Sequence, residues 1–170
     1  MPNLLTSIPV LPETPDSASM TIGLDEVESP VVRMGIGYWR RLCDGRPYPR
    51  RDAISPRDIR GVLRDTLLIR ALPDDYEFRI VGDAHAMAYG FSMLGRKLGE
   101  MAKLAAAHRL ALKRVYDRVV EKGEAFAYRG WVTRGGRDIP KISSESVFLP
   151  LGEQSVDHIL IFSTYASAKN

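Results

Sequence analysis

Three histidines, one cysteine, a Ser-Ser-Glu-Ser run and a Gly-Gly pair are the residues of this 170-residue chain whose types could do chemistry. His85, His108 and His158 stand far apart, with no His-x-x-x-His spacing and no cysteine pair, so the spacing of a metal site is absent. His108-Arg109-Leu110 begins like a kinase catalytic loop, but Leu110 stands where the acid is required and no Gly-rich loop precedes it. Cys43 has Arg41 nearby but no local histidine, and a reactive thiol needs an electropositive, partly exposed setting; a structural thiol is expected. Gly130 and Gly135-Gly136 are not followed by Gly-Lys-Ser/Thr and lie between strands, which is not a phosphate loop. Ser143-Ser144-Glu145-Ser146 lacks the strand-to-helix elbow of a hydrolase nucleophile. For a small-molecule enzyme on an α+β scaffold, only Glu145, His108 and Asp138 remain as an acid–base set, and they would have to converge within hydrogen-bond reach.

Binding is the better-supported chemistry. In the strand Ile142 to Val147, alternation puts Ser144 and Ser146 on one face and Ser143 and Glu145 on the other. Phe78, Tyr89, Tyr116, Tyr128 and Trp131 supply aromatic walls, and His108 falls on the apolar face of a long helix. An apolar pocket with a few placed donors is the usual form of a small-ligand site. A filled core with exposed serines is the plainer reading and the one expected, since aromatic residues in strands usually just pack. A second feature is a stripe of ten arginines from Arg33 to Arg70, set against only Asp44, Asp52, Asp58 and Asp65. The lead before it is acidic, with Glu13, Asp16, Asp25, Glu26 and Glu28. Such a stripe can draw nucleic acid; a solvated surface, or pairing with the acidic lead, is the plainer reading and the one expected.

These residues need elements to hold them. Residues 1–28 carry Pro2, Pro9, Pro12 and Pro15 among polar residues and predict a flexible lead. Ser29-Pro30 is a helix start, Val32, Ile36, Trp39 and Leu42 recur at helical spacing, and Asp44-Gly45 is a stop. A short helix from Ser55-Pro56 to about Leu63 completes an N-terminal helical cap over 29–64. The core, 65–166, begins with a hairpin of strands at 66–72 and 76–81, where Tyr76, Phe78 and Ile80 alternate with Glu77 and Arg79. A short helix over 83–89 follows, then the long helix over about 100–122, with Met101, Ala105, His108, Leu112, Val115 and Val119 on one face. Three strands close the chain at 125–134, 139–151 and 156–165, with a tight turn at Gly135-Gly136. Two strands, a helical middle and three strands predict an α+β domain with an antiparallel sheet. No long apolar span, secretory signal, lipidation motif or cysteine framework is present, so a cytoplasmic protein without membrane attachment is expected.

The order of elements resembles a PAS domain, and the sequence is similar to the short single-domain PAS proteins typical of alphaproteobacteria. The segments that carry the resemblance are Tyr38-Trp39-Arg40, Pro49-Arg50-Arg51-Asp52, Ser55-Pro56-Arg57-Asp58-Ile59, Phe78-Arg79-Ile80-Val81-Gly82, Gly95-Arg96-Lys97-Leu98, Leu149-Pro150-Leu151 and Val156-Asp157-His158-Ile159-Leu160. Together they cover about residues 33–162; Asp83 departs from the family pattern, which has Thr after Val-Gly. The resemblance implies a five-stranded antiparallel sheet with helices on one face, a concave site under the long helix, and a non-catalytic sensory or protein-interaction role in bacterial signal transduction. It also implies that a histidine on the long helix can hold haem, but His108 alone makes that case and no cofactor is expected. Signalling proteins or a second copy are the expected partners. Val32, Ile36, Trp39 and Leu42 are the expected contact surface, because an amphipathic helix outside the core needs a cover. The alternative for that stripe is packing on the chain's own sheet.

Overall fold

In the computed structural model of this chain, residues 20–104, 106–132 and 142–167 are described. The expectations for residues 1–19, for Ala105, for the Gly135-Gly136 turn and for Asp138 lie outside the described residues, as does the side chain of Trp131.

One antiparallel sheet organises the chain. Its strands are β1 (Met20–Ile22), β2 (Thr66–Ala71), β3 (Tyr76–Val81), β4 (Phe126–Val132), β5 (Ile142–Gly152) and β6 (Val156–Ser167), in the order β1-β4-β5-β6-β2-β3. The helices are α1 (Pro30–Cys43), α2 (Asp83–Tyr89) and α3 (Ala106–Lys122). The long hairpin of β5 and β6 is the spine, paired from Ile142↔Ser167 to Gly152↔Val156. The PAS-like α+β architecture expected from the sequence is present, with two corrections. The sheet has six strands: Met20–Ile22, read from sequence as flexible lead, pairs with β4 through Met20↔Arg129 and Ile22↔Ala127. A three-residue strand is too short for alternation to announce it. Helices also lie on both faces of the sheet rather than one. Period-two alternation makes both faces of β5 and β6 apolar, so both need cover. One face of the sheet packs under α2 and α3 with Ile69, Phe78, Phe148 and Ile161. The other packs under α1 with Leu68, Leu149, Leu160 and Phe162.

The helix ends follow local chemistry. Ser29 Oγ accepts from the Val32 amide at 3.3 Å, and Pro30 takes the first helical position. Gly90 and Gly123 end α2 and α3 at φ 83° and 62°, a left-handed conformation that a residue with a Cβ resists. The long helix starts later than its apolar spacing predicts. Arg109 Nη1 donates to the Met101 and Leu104 carbonyls at 2.7 and 3.0 Å, so the turn before the helix is satisfied by a side chain.

The inner face of α1 corrects the partner-surface expectation. Val32, Ile36 and Trp39 are buried and Leu42 is half-buried, all against the chain's own sheet. The Trp39 indole donates to the Pro150 carbonyl at 2.9 Å. A Cβ added at Gly35 would lie 2.3 Å from the Phe162 ring, so the helix backbone rests directly on β6. The chain covers this stripe itself, and the stripe is not free for another protein.

Candidate ligand site

The face of the sheet under α2 and α3 is laid out in rows set by strand register. Phe126, Phe148 and Ile161 are opposite one another across β4, β5 and β6. Two residues along, Tyr128, Ser146 and Ser163 form the next row; then come Gly130, Ser144 and Tyr165. The first row is wholly apolar, with the Phe126 and Phe148 rings stacked at 4.9 Å. The second is polar at its centre: Ser146 Oγ and Ser163 Oγ are 2.6 Å apart in the buried interior. In the third, Gly130 contributes no side chain and Tyr165 reaches toward α2.

The helices close this surface from above. Tyr116 of α3 meets Tyr76 and Phe78 edge-on at 5.1 and 6.5 Å and Phe148 at 6.3 Å. Tyr89, at the end of α2, stands 6.2 Å from the His108 ring and 6.5 Å from Phe91. His85, in the first turn of α2, is fully buried. Its Nε2 lies 3.0 Å from the Asp65 carbonyl, which can only accept, so Nδ1 accepts from the Tyr165 hydroxyl at 2.9 Å. Burial pushes the imidazole pKa down to about 4, with the Asp65 carbonyl opposing the shift. Burial also raises the Tyr89, Tyr116 and Tyr165 phenols well above their ordinary value, so all three stay neutral donors.

Of the residues chosen from sequence, Phe78, Tyr89, His108, Tyr116, Tyr128, Ser144 and Ser146 therefore share one interior face and are all buried. The backbone of Trp131 pairs with Ser143 in β4, and its side chain lies outside the described residues. Sequence reasoning missed His85, Ser163 and Tyr165. The strand alternation of β6 was a usable signal for the last two. His85 had none, because the partners of its ring come from residues 65 and 165.

Glu145 lies on the opposite face, as alternation predicts. Its Oε1 accepts from the Glu28 and Ser29 amides at 3.0 and 2.7 Å, at the start of α1. Its Oε2 accepts from Arg129 Nε and Nη2 at 3.2 and 2.9 Å. Burial pushes the carboxyl pKa up, and the Ser29 amide, the Arg129 guanidinium and the Glu28 amide together bring it below the ordinary value. The cleft beside this group holds about 250 Å³ and is walled by Glu28, Ser29, Arg129 and Thr164. With His108 buried on α3 and Glu145 across the sheet, His108 and Glu145 of the enzyme alternative are not brought together; Asp138 lies outside the described residues. No group of three or more His, Cys, Asp or Glu among the described residues is placed to hold a metal. No described helix is long and apolar enough to cross a membrane.

The arginine stripe divides. Arg46 and Arg50 bind the β5–β6 turn at Gly152 and Glu153, and Arg51 reaches the Ile54 carbonyl. Arg40, Arg41, Arg57, Arg60 and Arg64 are exposed, and no described ion pair includes them. Cys43 is half-buried, donates to the Trp39 carbonyl at 3.4 Å, and has its thiol pKa raised by burial despite Arg40.

A family model described as PAS domain matches residues 27–166, from the start of α1 to the end of the spine hairpin. No curated protein matches the chain.

Proposed function

This chain belongs to the PAS domain family, and from that premise we propose that it is a non-catalytic sensory and interaction module of signal transduction, binding a small uncharged ligand between its sheet and the helices α2 and α3. The observation that carries the reading is the buried row Tyr128–Ser146–Ser163, which places hydroxyls in the middle of an aromatic face. A hydroxyl pair at 2.6 Å costs desolvation in a core that an apolar pair would fill equally well. It suits a site where a ligand's polar group exchanges into the pair. Buried Lys, Arg, Asp and Glu side chains are absent from this face among the described residues, so a charged ligand would have no counter-ion. A ring-containing neutral molecule with one or two hydrogen-bonding groups fits the gradient from Phe126–Phe148 toward Tyr165 and His85.

In this reading haem is not the ligand. Tyr89 occupies the space 6.2 Å from the His108 ring, and Arg109 is committed to the Met101 and Leu104 carbonyls. Native mass spectrometry of freshly purified protein, with an absorption spectrum on the same sample, tests the proposal. A retained neutral adduct that is lost in Ser146→Val, with no Soret band, is the expected result. Wild type and Ser146→Val each at the mass of its bare chain, or a stoichiometric Soret band that disappears in His108→Ala, would overturn it.

A further inference from the structure

One carbonyl fixes where the hydrogens lie along the polar groups of the interior face. The Asp65 carbonyl, just before β2, can only accept, so the hydrogen of the neutral His85 ring is on Nε2, 3.0 Å away. Nδ1 is then an acceptor, and the Tyr165 hydroxyl at 2.9 Å gives it its one hydrogen. Ser163 stands two residues before Tyr165 on the same face of β6. Burial raises the Tyr165 phenol pKa, and a hydrogen bond with the Ser163 side chain opposes the rise. A bond that opposes it is one the phenol oxygen accepts. Ser163 therefore donates to Tyr165 and has no hydrogen left for Ser146. At 2.6 Å, Ser146 Oγ must be the donor to Ser163 Oγ. The chain of donors runs Ser146, Ser163, Tyr165, His85 to the Asp65 carbonyl, from β5 across β6 and α2 to the start of β2. Its first member, Ser146 Oγ, has given its hydrogen and keeps only lone pairs.

We propose that the interior face selects a neutral aromatic ligand that offers an N–H or O–H to Ser146 Oγ; this rests on the ligand reading above and names the chemistry the site takes. Such a donor adds a bond and breaks none. A ligand carbonyl or ring nitrogen is met only by turning the Ser146 hydrogen away from Ser163, one bond lost for one gained. Reversing the whole chain is no escape. It would leave a bare ring nitrogen facing the Asp65 carbonyl, two acceptors at 3.0 Å. The selection is therefore set at His85, on a different element from the serine that meets the ligand. Tyr165 is a positioning residue: it acts on Ser146 only through Ser163.

The test titrates indole, benzofuran and benzoxazole into the full chain, with affinities read from amide shifts in two-dimensional NMR. The three molecules share one shape. Indole offers an N–H, benzofuran no donor, and benzoxazole an acceptor nitrogen. Wild type binds indole severalfold to about tenfold more tightly than the other two, which is the value of one net hydrogen bond. Ser146→Val abolishes the preference. Tyr165→Phe keeps the ring but frees the Ser163 hydrogen to turn toward Ser146, and the Ser146 hydrogen toward the ligand, so benzoxazole gains on indole. A purely structural tyrosine would weaken all three alike. Circular dichroism confirms that the variants are folded. Imidazole nitrogen shifts of the unliganded protein place the His85 hydrogen on Nε2. A hydrogen on Nδ1, equal wild-type affinities for the three, a preference that survives Ser146→Val, or one unchanged in Tyr165→Phe overturns the proposal and leaves the ligand reading standing. Binding by none of the three beside a retained adduct in the native mass spectrum also removes the proposal alone. Binding by none beside the mass of the bare chain removes both.

Discussion

At position 145 a carboxylate does structural work that its neighbours in sequence do not reveal. Alternation in β5 placed Glu145 opposite Ser144 and Ser146, and that much was legible. Its partners were not, because the Ser29 amide is 116 residues away and becomes available only when α1 starts beside β5. The two amides are unpaired groups at a helix start, and the helix dipole favours a negative charge there. Glu145→Ala leaves those amides and Arg129 to whatever water enters the adjoining cleft. It should cost about 2–3 kcal/mol in urea unfolding. Glu145→Gln keeps an acceptor for the amides and loses the ion pair, at about 1 kcal/mol. A Gln variant as unstable as the Ala variant would mean that charge, not amide capping, is what matters. His108 illustrates the opposite case. Its helical face was legible, but whether its surroundings leave room was not, since Tyr89 arrives from a different helix.

At the level of the element, α1 shows what periodicity can and cannot say. The stripe Val32, Ile36, Trp39 and Leu42 was plain, and so was the N-cap at Ser29. Which surface would cover the stripe was left open between another protein and the chain's own sheet, because an apolar stripe carries no address. The two glycines of the helix decide it, and in sequence they look alike. At Gly35 an added Cβ would fall 2.3 Å from the Phe162 ring; at Gly37 it would meet only the Arg41 guanidinium at 3.6 Å. Alanine is the better helix former by about 1 kcal/mol, so propensity alone predicts that both substitutions stabilise. The expected outcome is opposite signs. Gly37→Ala should stabilise by up to about 1 kcal/mol. Gly35→Ala should destabilise by about 1–3 kcal/mol, because α1 must lift or Phe162 must leave its rotamer. Thermal melts of the two variants settle the matter. A stabilised Gly35→Ala would show that α1 does not press on β6.

Over the whole molecule, the order of strands and helices was legible because each element carries its own periodicity and punctuation. The closure of the sheet was less so. β1 is too short to signal itself, and the second apolar face became evident only when both alternating sets of β5 and β6 proved buried. His85 ties these regions together: it lies on α2, contacts the backbone just before β2, and meets Tyr165 near the end of β6. Its protonation should therefore affect global stability. An ordinary histidine titrates near 6.5 in the unfolded chain, whereas burial holds this one to about 4 when folded. The folded state binds fewer protons across that interval, so the stabilisation is complete above about pH 6.5 and is lost as the pH falls toward 4. The size of the loss is on the order of 3 kcal/mol. The Tyr165 phenol stays protonated throughout, so it adds no charge change of its own. Glu145, whose carboxyl is held below its ordinary range, loses its contribution in the same direction at lower pH. Urea midpoints at about pH 7 and about pH 5 should therefore differ markedly in wild type and much less in His85→Gln. Two-dimensional NMR should show the His85 ring resonances unmoved through pH 6 and titrating only near the acid transition. A His85 ring that titrates near 6.5 in the folded protein, or a His85→Gln variant with the wild-type pH dependence, would show that this imidazole is not the internal tie between α2 and β6.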